Sequence, residues 1–169
     1  MAVYKLVERF EVPTAYELES AGYDASEAAT LDKLEYRQKV APELFLGRYL
    51  DGQLVGYIVS TLASEPTLTH NSMSDHVPNG KTVCIHSVCV DKKHQRKGIA
   101  ANLLKEYIRR LQESNGNCDS PKYERIALIA HDYLIKLYES CGFTLLGESE
   151  VVHGPDKWYE LQILLDSKI

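Results

Sequence analysis

Two apolar rhythms alternate along the chain, and each change of rhythm marks a change of element. Val3–Val7, the first short run, predicts a strand. Pro13 opens a helical segment that runs to about Ala21. A second helix is predicted from Ser26, an N-cap followed by Glu27 in the first turn, to about Val40, and Pro42 stops it. Leu44–Leu50 and Leu54–Leu62 read as a hairpin closed by Asp51-Gly52, a pair suited to a type I′ turn. Ala63 to Lys81 is a long polar connection, of a length that in a compact domain marks a functional or disordered segment. Val83–Val90 is the clearest strand, almost wholly apolar, as a strand buried on both faces is. From Gly98 the period changes: Ala100, Leu103, Leu104, Tyr107, Ile108 and Leu111 share one helical face. Asn115-Gly116-Asn117, residues that tolerate left-handed backbone angles, end that helix. Arg125–Ala130 is a strand and Asp132–Ser140 a short helix stopped at Gly142. Phe143–Leu146 and Trp158–Leu165 close the chain as strands. The order β-α-α-β-β-β-α-β-α-β-β predicts an α/β fold whose mixed sheet is antiparallel early and takes one parallel step across the central helix.

Composition narrows the class. At 169 residues, 44% hydrophobic and 25% charged, the chain suits one globular domain spanning 1–169. No apolar run approaches the roughly 20 residues of a membrane span, and MAVYKLVERFEVP lacks the features of a signal peptide. A cytoplasmic protein is expected. Cys84, Cys89, Cys118 and Cys141 form no Cys-x-x-Cys pair and meet no histidine cluster, so no metal site is expected. The net charge of −5 argues against nucleic acid as a partner and is compatible with a cationic small molecule.

The passage Val83–Leu104, VCIHSVCVDKKHQRKGIAANLL, carries the strongest chemical signal. A buried strand runs into a short cationic loop, and the loop opens a helix. Such a junction presents unpaired backbone N–H groups backed by the positive end of the helix dipole, a setting that favours phosphates. Gly98 leaves room for a phosphate at the backbone, and Ala100 keeps the next turn small. Lys92, Lys93, Arg96 and Lys97 add positive charge at the mouth. Neither G-x-x-x-x-G-K-S/T nor G-x-G-x-x-G is present, which argues against the common kinase and dehydrogenase loops. Taken alone, the passage reads equally as a solvated turn ahead of an amphipathic helix.

Gln95-Arg96-Lys97-Gly98-Ile99-Ala100 resembles the Q/R-x-x-G-x-G/A pyrophosphate loop of the GCN5-related N-acetyltransferases (GNAT). About forty residues on, Leu137-Tyr138-Glu139-Ser140-Cys141-Gly142-Phe143 resembles that superfamily's L-Y-x-x-x-G-F signature. Ala41-Pro42-Glu43-Leu44-Phe45-Leu46-Gly47 is similar to the C-P-E-L-x-L-G stretch of the arylalkylamine (serotonin-type) N-acetyltransferases. Leu54–Ile58, the Leu68-Thr69 to Pro78-Asn79-Gly80 loop and Ile85–Val90 match in order, so the resemblance spans most of residues 12–147. It implies a single-domain GNAT-like mixed sheet with helices on both faces. It also implies acetyl-CoA as cosubstrate, its pyrophosphate on Gln95, Arg96, Lys97, Gly98, Ile99, Ala100 and Ala101. The pantetheine arm is expected along the backbone of Val88, Cys89 and Val90, like an added strand.

His86, whose imidazole titrates near pH ~6.5 when unperturbed, is the candidate base on the central strand; a core histidine bonded to backbone is the alternative. In the family the matching histidine serves in proton removal through water. The family's second histidine, two residues earlier, is Cys84 here, which leaves His86 to work with water or with His131. His70, His76 and His153 lie in polar segments and read as surface residues. Tyr138 is the candidate acid, since the family's tyrosine lies beside the CoA sulfur; it also reads as a packed helix residue. Cys89 has no base partner in sequence, so direct transfer is expected rather than an acyl-cysteine.

The family's amine pocket draws on the first helices, the 63–81 loop and the last hairpin, which here carry Glu17, Glu19, Tyr23, Asp24, Glu27, Tyr36, Asp75, Asp156, Trp158 and Tyr159. Aromatic rings suit an arylalkylamine, and carboxylates suit the far ammonium of a polyamine. Two rival readings stand beside these: a lysine acetyltransferase acting on a protein or peptide, and a noncatalytic CoA-binding module.

Overall fold

The computed structural model describes residues 2–165, which contain seven strands and five α-helices. They are β1 (Val3–Leu6), α1 (Val12–Gly22), α2 (Leu31–Val40), β2 (Phe45–Leu50), β3 (Gln53–Ala63) and α3 (His70–Ser74). There follow β4 (Thr82–Val90), α4 (Ile99–Gly116), β5 (Arg125–Ala130), α5 (Ile135–Ser140), β6 (Thr144–Glu148) and β7 (Tyr159–Leu164). The strands form one mixed sheet in the order β1-β2-β3-β4-β5-β7-β6. Its first four strands are antiparallel neighbours, and α4 carries the chain across to β5, which lies parallel to β4. The β6–β7 hairpin folds back so that β7 pairs with β5 along all six residues of that strand.

Local chemistry explains most of these boundaries. Leu50 pairs with Gln53, and Asp51 and Gly52 both take positive φ, as the type I′ reading requires. Pro13 occupies the first turn of α1, where its missing N–H costs nothing. The second helix begins at Leu31, not at Ser26. Thr30 is its cap, with Oγ1 accepting from Lys33 N at 3.2 Å. Upstream, Glu27 and Ala28 N–H donate to the Asp24 carbonyl, and Ala29 N–H donates to the Glu19 carboxylate at 3.0 Å. Those bonds hold 24–29 as a turn and leave Ser26 exposed. The 63–81 connection contains α3, capped by reciprocal Thr69–Ser72 bonds of 2.8 and 3.1 Å. A helix of five residues whose one apolar side chain is Met73 has no apolar repeat to betray it. At the end of α4, Asn117 keeps φ −92 rather than a left-handed angle. The turn is fixed instead by the Asn115 side chain, which accepts from Tyr123 N at 2.8 Å and donates to Tyr123 O at 2.7 Å.

Helices cover both faces of the sheet. On one, α4 and α5 bury Leu103, Leu104, Tyr107 and Tyr138 against Ile58, Leu62, Val83, Ile85 and Ile126. On the other, α1 and α2 bury Val12, Ala15 and Leu34 against Phe45, Tyr57, Val59 and Cys89. A smaller cluster under α3 joins Leu68, Cys84, Ala127 and Val151. Among the described residues no helix is long and apolar enough to cross a membrane.

Glu19 ties the second face together. Although only 2% exposed, it accepts from the Tyr57 hydroxyl on β3 and from Ala29 N–H ahead of α2. Removing the carboxylate leaves two buried donors without partners, each costing ~1–3 kcal/mol. Glu19→Ala is therefore expected to lower the unfolding free energy by about 2 kcal/mol or more. Urea unfolding that gave the variant wild-type stability would remove Glu19 as the tie between α1, α2 and β3.

Candidate active site

β4 and β5 pair over only three residues each, Thr82–Cys84 against Arg125–Ala127. Beyond Cys84 they diverge, because β4 stays with β3 while β5 stays with β7. A strand edge from Ile85 onward is thus left without a neighbour on the β5 side. Such a gap at the C-terminal ends of parallel strands is where open α/β sheets take ligands. A cavity of about 860 Å³ fills it.

One wall comes from the β4–α4 junction. Asp91 caps a tight turn by accepting from Lys93 N at 3.0 Å. Arg96 and Gly98 then take φ of 63 and 77, turning the chain so that α4 begins with its N–H groups toward the cavity. A Cβ on Gly98 would meet only Asn102 Nδ2, at 4.0 Å, so the glycine serves the backbone angle and the open approach rather than packing. Val88, Cys89, Val90, Gln95, Arg96, Gly98, Ile99, Ala100 and Ala101 all line the cavity. Lys97 lies outside that lining and is exposed, as are Lys92 and Lys93, so only Arg96 of the four expected cations borders it. The Cys89 side chain packs toward α1, and burial pushes its thiol up to about 12, with Glu19 adding to the shift. The Val88 carbonyl accepts from the Tyr23 hydroxyl at 2.7 Å.

His86 sits at a bulge. Val59 pairs with Ser87 and Ser60 with Ile85, so His86 is the extra residue on β4 and its ring turns toward Thr61. Nε2 lies 2.7 Å from Thr61 Oγ1, while Nδ1 is buried with no partner among the described residues. Burial first, then the charges of Arg37, His153 and Lys33, hold the imidazole well below its ordinary 6.5. It is therefore neutral at neutral pH. Cys84, two residues earlier, is fully buried with Sγ 3.6 Å from Met73 Sδ, and burial pushes its thiol up to about 12. It is no proton relay.

Tyr138 enters from the opposite wall. Gly142, at φ 102, lets Phe143 N–H return to the Tyr138 carbonyl at 3.1 Å, a left-handed helix ending that the L-Y-x-x-x-G-F spacing encodes. Tyr138 and Phe143 then pack edge to face, 5.7 Å apart. Burial raises the Tyr138 pKa above its ordinary value, so the hydroxyl keeps its proton at neutral pH.

The third wall is built by α1, α2, α3 and the 150s segment. His131 is committed to structure, with Nε2 2.9 Å from Glu27 Oε1 and its ring between Tyr133 and Trp158. Glu27, His131 and Asp156 bring ligand atoms within 4.8 Å of one another, an acidic pole beside aromatic rings. Two of the three histidines read as surface residues are not. His153 is part-buried in the cavity wall, edge-on to Trp158, whose Nε1 donates to the His153 carbonyl at 2.7 Å. His76 is also part-buried, and its Nδ1 accepts from Leu62 N at 3.0 Å. His70 is exposed but reaches the rim. Arg37, Lys33 and Thr61 were not among the expected site residues. Their signals were a cation three residues after Leu34 on the buried face of α2, and a polar Ser60-Thr61 step within an apolar strand.

A sheet split at one parallel step, a glycine loop heading the following helix, and a histidine and a tyrosine thus meet around one cavity. The chain matches the family model for Acetyltransferase (GNAT) family over residues 9–143, and it belongs to that family. It is 31% identical over 135 residues to the serotonin N-acetyltransferase of Mesocricetus auratus, covering 80% of this chain and 62% of that protein. The chain thus spans less than two thirds of that relative's length. Among solved structures it is similar to the loading GNATL domain of CurA from Lyngbya majuscula, with a TM-score of 0.83 at 12% identity over 97% and 98% of the two chains. It is also similar to the phosphinothricin acetyltransferase of Sinorhizobium meliloti in complex with AcCoA, with a TM-score of 0.70 at 15% identity over 99% and 90%. At those identities the likeness is one of fold.

The electrostatics of His86 carry a stability consequence. A histidine whose folded pKa lies below its unfolded value binds fewer protons folded than unfolded. Its contribution is complete above pH ~6.5 and is lost as pH falls toward the folded value. Wild-type stability is expected to drop between about pH 7 and pH 5, one such group adding up to about 1.4 kcal/mol per pH unit. His86→Gln should lose that share of the slope, while His76 and His153, lowered by burial too, keep theirs. Equal slopes for wild type and variant would contradict a buried, neutral His86.

Proposed function

We propose that this chain transfers the acetyl group of acetyl-CoA directly to the primary amine of a small acceptor, an arylalkylamine or a polyamine. The observation that carries the reading is one cavity bordered by an open strand edge, a helix N-terminus, His86 and Tyr138. The open edge of β4 suits a pantetheine arm and the Arg96–Ala101 turn suits a pyrophosphate. Acetyl-CoA supplies an acetyl group activated as a thioester. His86 accepts, directly or through water, the proton that the ammonium gives up; the amine nitrogen forms its bond to the acetyl carbon as the C–S bond breaks, and its second proton passes to water. Tyr138 donates a proton to the departing sulfur and regains one from solvent. The net products are an acetamide, free CoA and one proton.

Trp158, Tyr133 and Tyr23 support the arylalkylamine reading, and the serotonin N-acetyltransferase likeness points the same way. Glu27 and Asp156 support a polyamine whose far ammonium sits at the acidic pole. The presence of both His86 and Tyr138 favours catalysis over a noncatalytic CoA-binding module. A lysine acetyltransferase keeps its place as an arm of the test. The proposed setting is the cytoplasm, consistent with four free cysteines.

With tryptamine, phenethylamine, spermine and a lysine peptide as acceptors, Tyr138→Phe is expected to lower kcat by about 10²-fold with little change in KM for acetyl-CoA. His86→Gln should lose rate at neutral pH and recover it at high pH, where the amine no longer needs a base. A Tyr138→Phe enzyme with wild-type turnover would leave that ring a packing role only. Turnover confined to the peptide would replace small amines with protein lysines.

A further inference from the structure

The acceptor wall holds a charge without a partner. Arg37 lies on the inward face of α2, three residues after Leu34 and four before Ala41, both fully buried. It is only 8% exposed and it lines the cavity. Arg48, Arg109, Arg110 and Arg125 each donate to a carbonyl, hydroxyl or carboxylate. The Arg37 guanidinium makes no hydrogen bond or ion pair with any described residue, and only its backbone carbonyl is engaged, by Ala41 N–H. Glu19, in the same wall, supports the Arg37 charge only through space, because its oxygens are engaged by Tyr57 and Ala29.

Buried charges are costly and are kept where something pairs them. Five N–H donors in a planar fork, facing a cavity and unpaired within the protein, call for a planar anion from outside it. CoA phosphates fit poorly as that anion. Arg37 acts electrostatically on Cys84 and His86, whereas the glycine loop follows Val90, so about six residues of strand, roughly 20 Å, separate Cys84 from that loop. The partner belongs to the acceptor. Lys33, one helical turn earlier, borders the same cavity and adds a second positive charge at the rim. Glu27 and Asp156 stand apart as the negative pole beside His131.

We propose that the acceptor carries a carboxylate as well as its reacting amine, and that Arg37 grips that carboxylate so that the amine is held at His86. This rests on the acetyl-transfer reading and narrows the acceptor to amines of amino-acid type, aromatic or basic. Arg37 and His86 line the same cavity, where one small molecule can touch both. A carboxylate there also neutralises the positive field that would otherwise oppose an incoming ammonium. The proposal uses both poles: a basic amino acid can set its far ammonium at Glu27 and Asp156, and an aromatic one can stack on Trp158.

The test compares matched pairs, phenylalanine with phenethylamine, tryptophan with tryptamine and ornithine with putrescine, by release of free CoA thiol. Wild type is expected to favour the carboxylate member of at least one pair in kcat/KM. Arg37→Met should cut that preference by about 10- to 100-fold, the usual loss when a charged hydrogen-bond partner is removed. Arg37→Lys, which keeps the charge without the fork, should cut it part-way, and it serves if the methionine variant does not fold. If Arg37→Met or Arg37→Lys lowers kcat/KM equally for both members of every pair, Arg37 is a structural residue and the proposal is overturned. Wild type that acetylates only the decarboxylated members, or a preference unchanged in both variants, overturns it too and leaves the transfer reading standing. If no acceptor of any pair or of the earlier panel reacts, both fall together.

Discussion

A ladder of only three residue pairs between β4 and β5 joins the two halves of the sheet. Were it longer, the sheet would close and bury the edge of β4 against β5. Were it absent, the β5-β7-β6 half would lose its register to β1–β4. Three pairs, Thr82–Cys84 with Arg125–Ala127, hold the halves together at one end and let them part at the other. Each strand is kept away from its neighbour by a stronger commitment on its far side, β4 to β3 and β5 to β7. The parallel crossover through α4 then delivers a helix N-terminus to the mouth of the gap, and β5 delivers α5 with Tyr138 to the other lip. Two lips of the cavity are thereby fixed by one geometric fact, while α1, α2, α3 and the 150s segment supply the remaining wall.

Electrostatics divide the cavity into unlike regions. The α4 end offers backbone N–H groups and Arg96, with the lysines of the loop turned out to solvent. The depth near His86 is positive through Arg37, with Lys33 at the rim, and the flank near His131 is negative through Glu27 and Asp156. Burial holds His86 neutral and Tyr138 protonated at neutral pH, the forms from which the proposed base and acid would start.

The order of strands and the parallel step were legible because the sheet elements are apolar runs with clear turn residues between them, Asp51-Gly52 the plainest. The glycine loop and the Leu137–Phe143 signature were legible because backbone angle, at Gly98 and Gly142, dictates residue type. What escaped the sequence is decided by side chains that meet across long separations. Ser26 looks like a cap, yet Thr30 wins because Glu19 holds Ala29 N–H. α3 has no periodicity to read. His86 was placed mid-strand, but its bulge follows from pairing with β3, and a register shift leaves no mark on one strand alone. Arg37 reads as one more surface cation until Leu34 and Ala41 show which face of α2 is buried. His153 and His76 lie in polar segments, yet packing draws both inward.

Acetyl-CoA bound as proposed lies along the opened edge of β4 and against the head of α4, and amide hydrogen exchange with and without acetyl-CoA reports that placement. Slowed exchange is expected at amides of Ile85–Val90 that face away from β3 and at the first turn of α4 from Gly98 to Ala101, with β1, β2 and the far end of α4 unchanged. Protection confined to other elements, or none at saturating acetyl-CoA, would contradict the account.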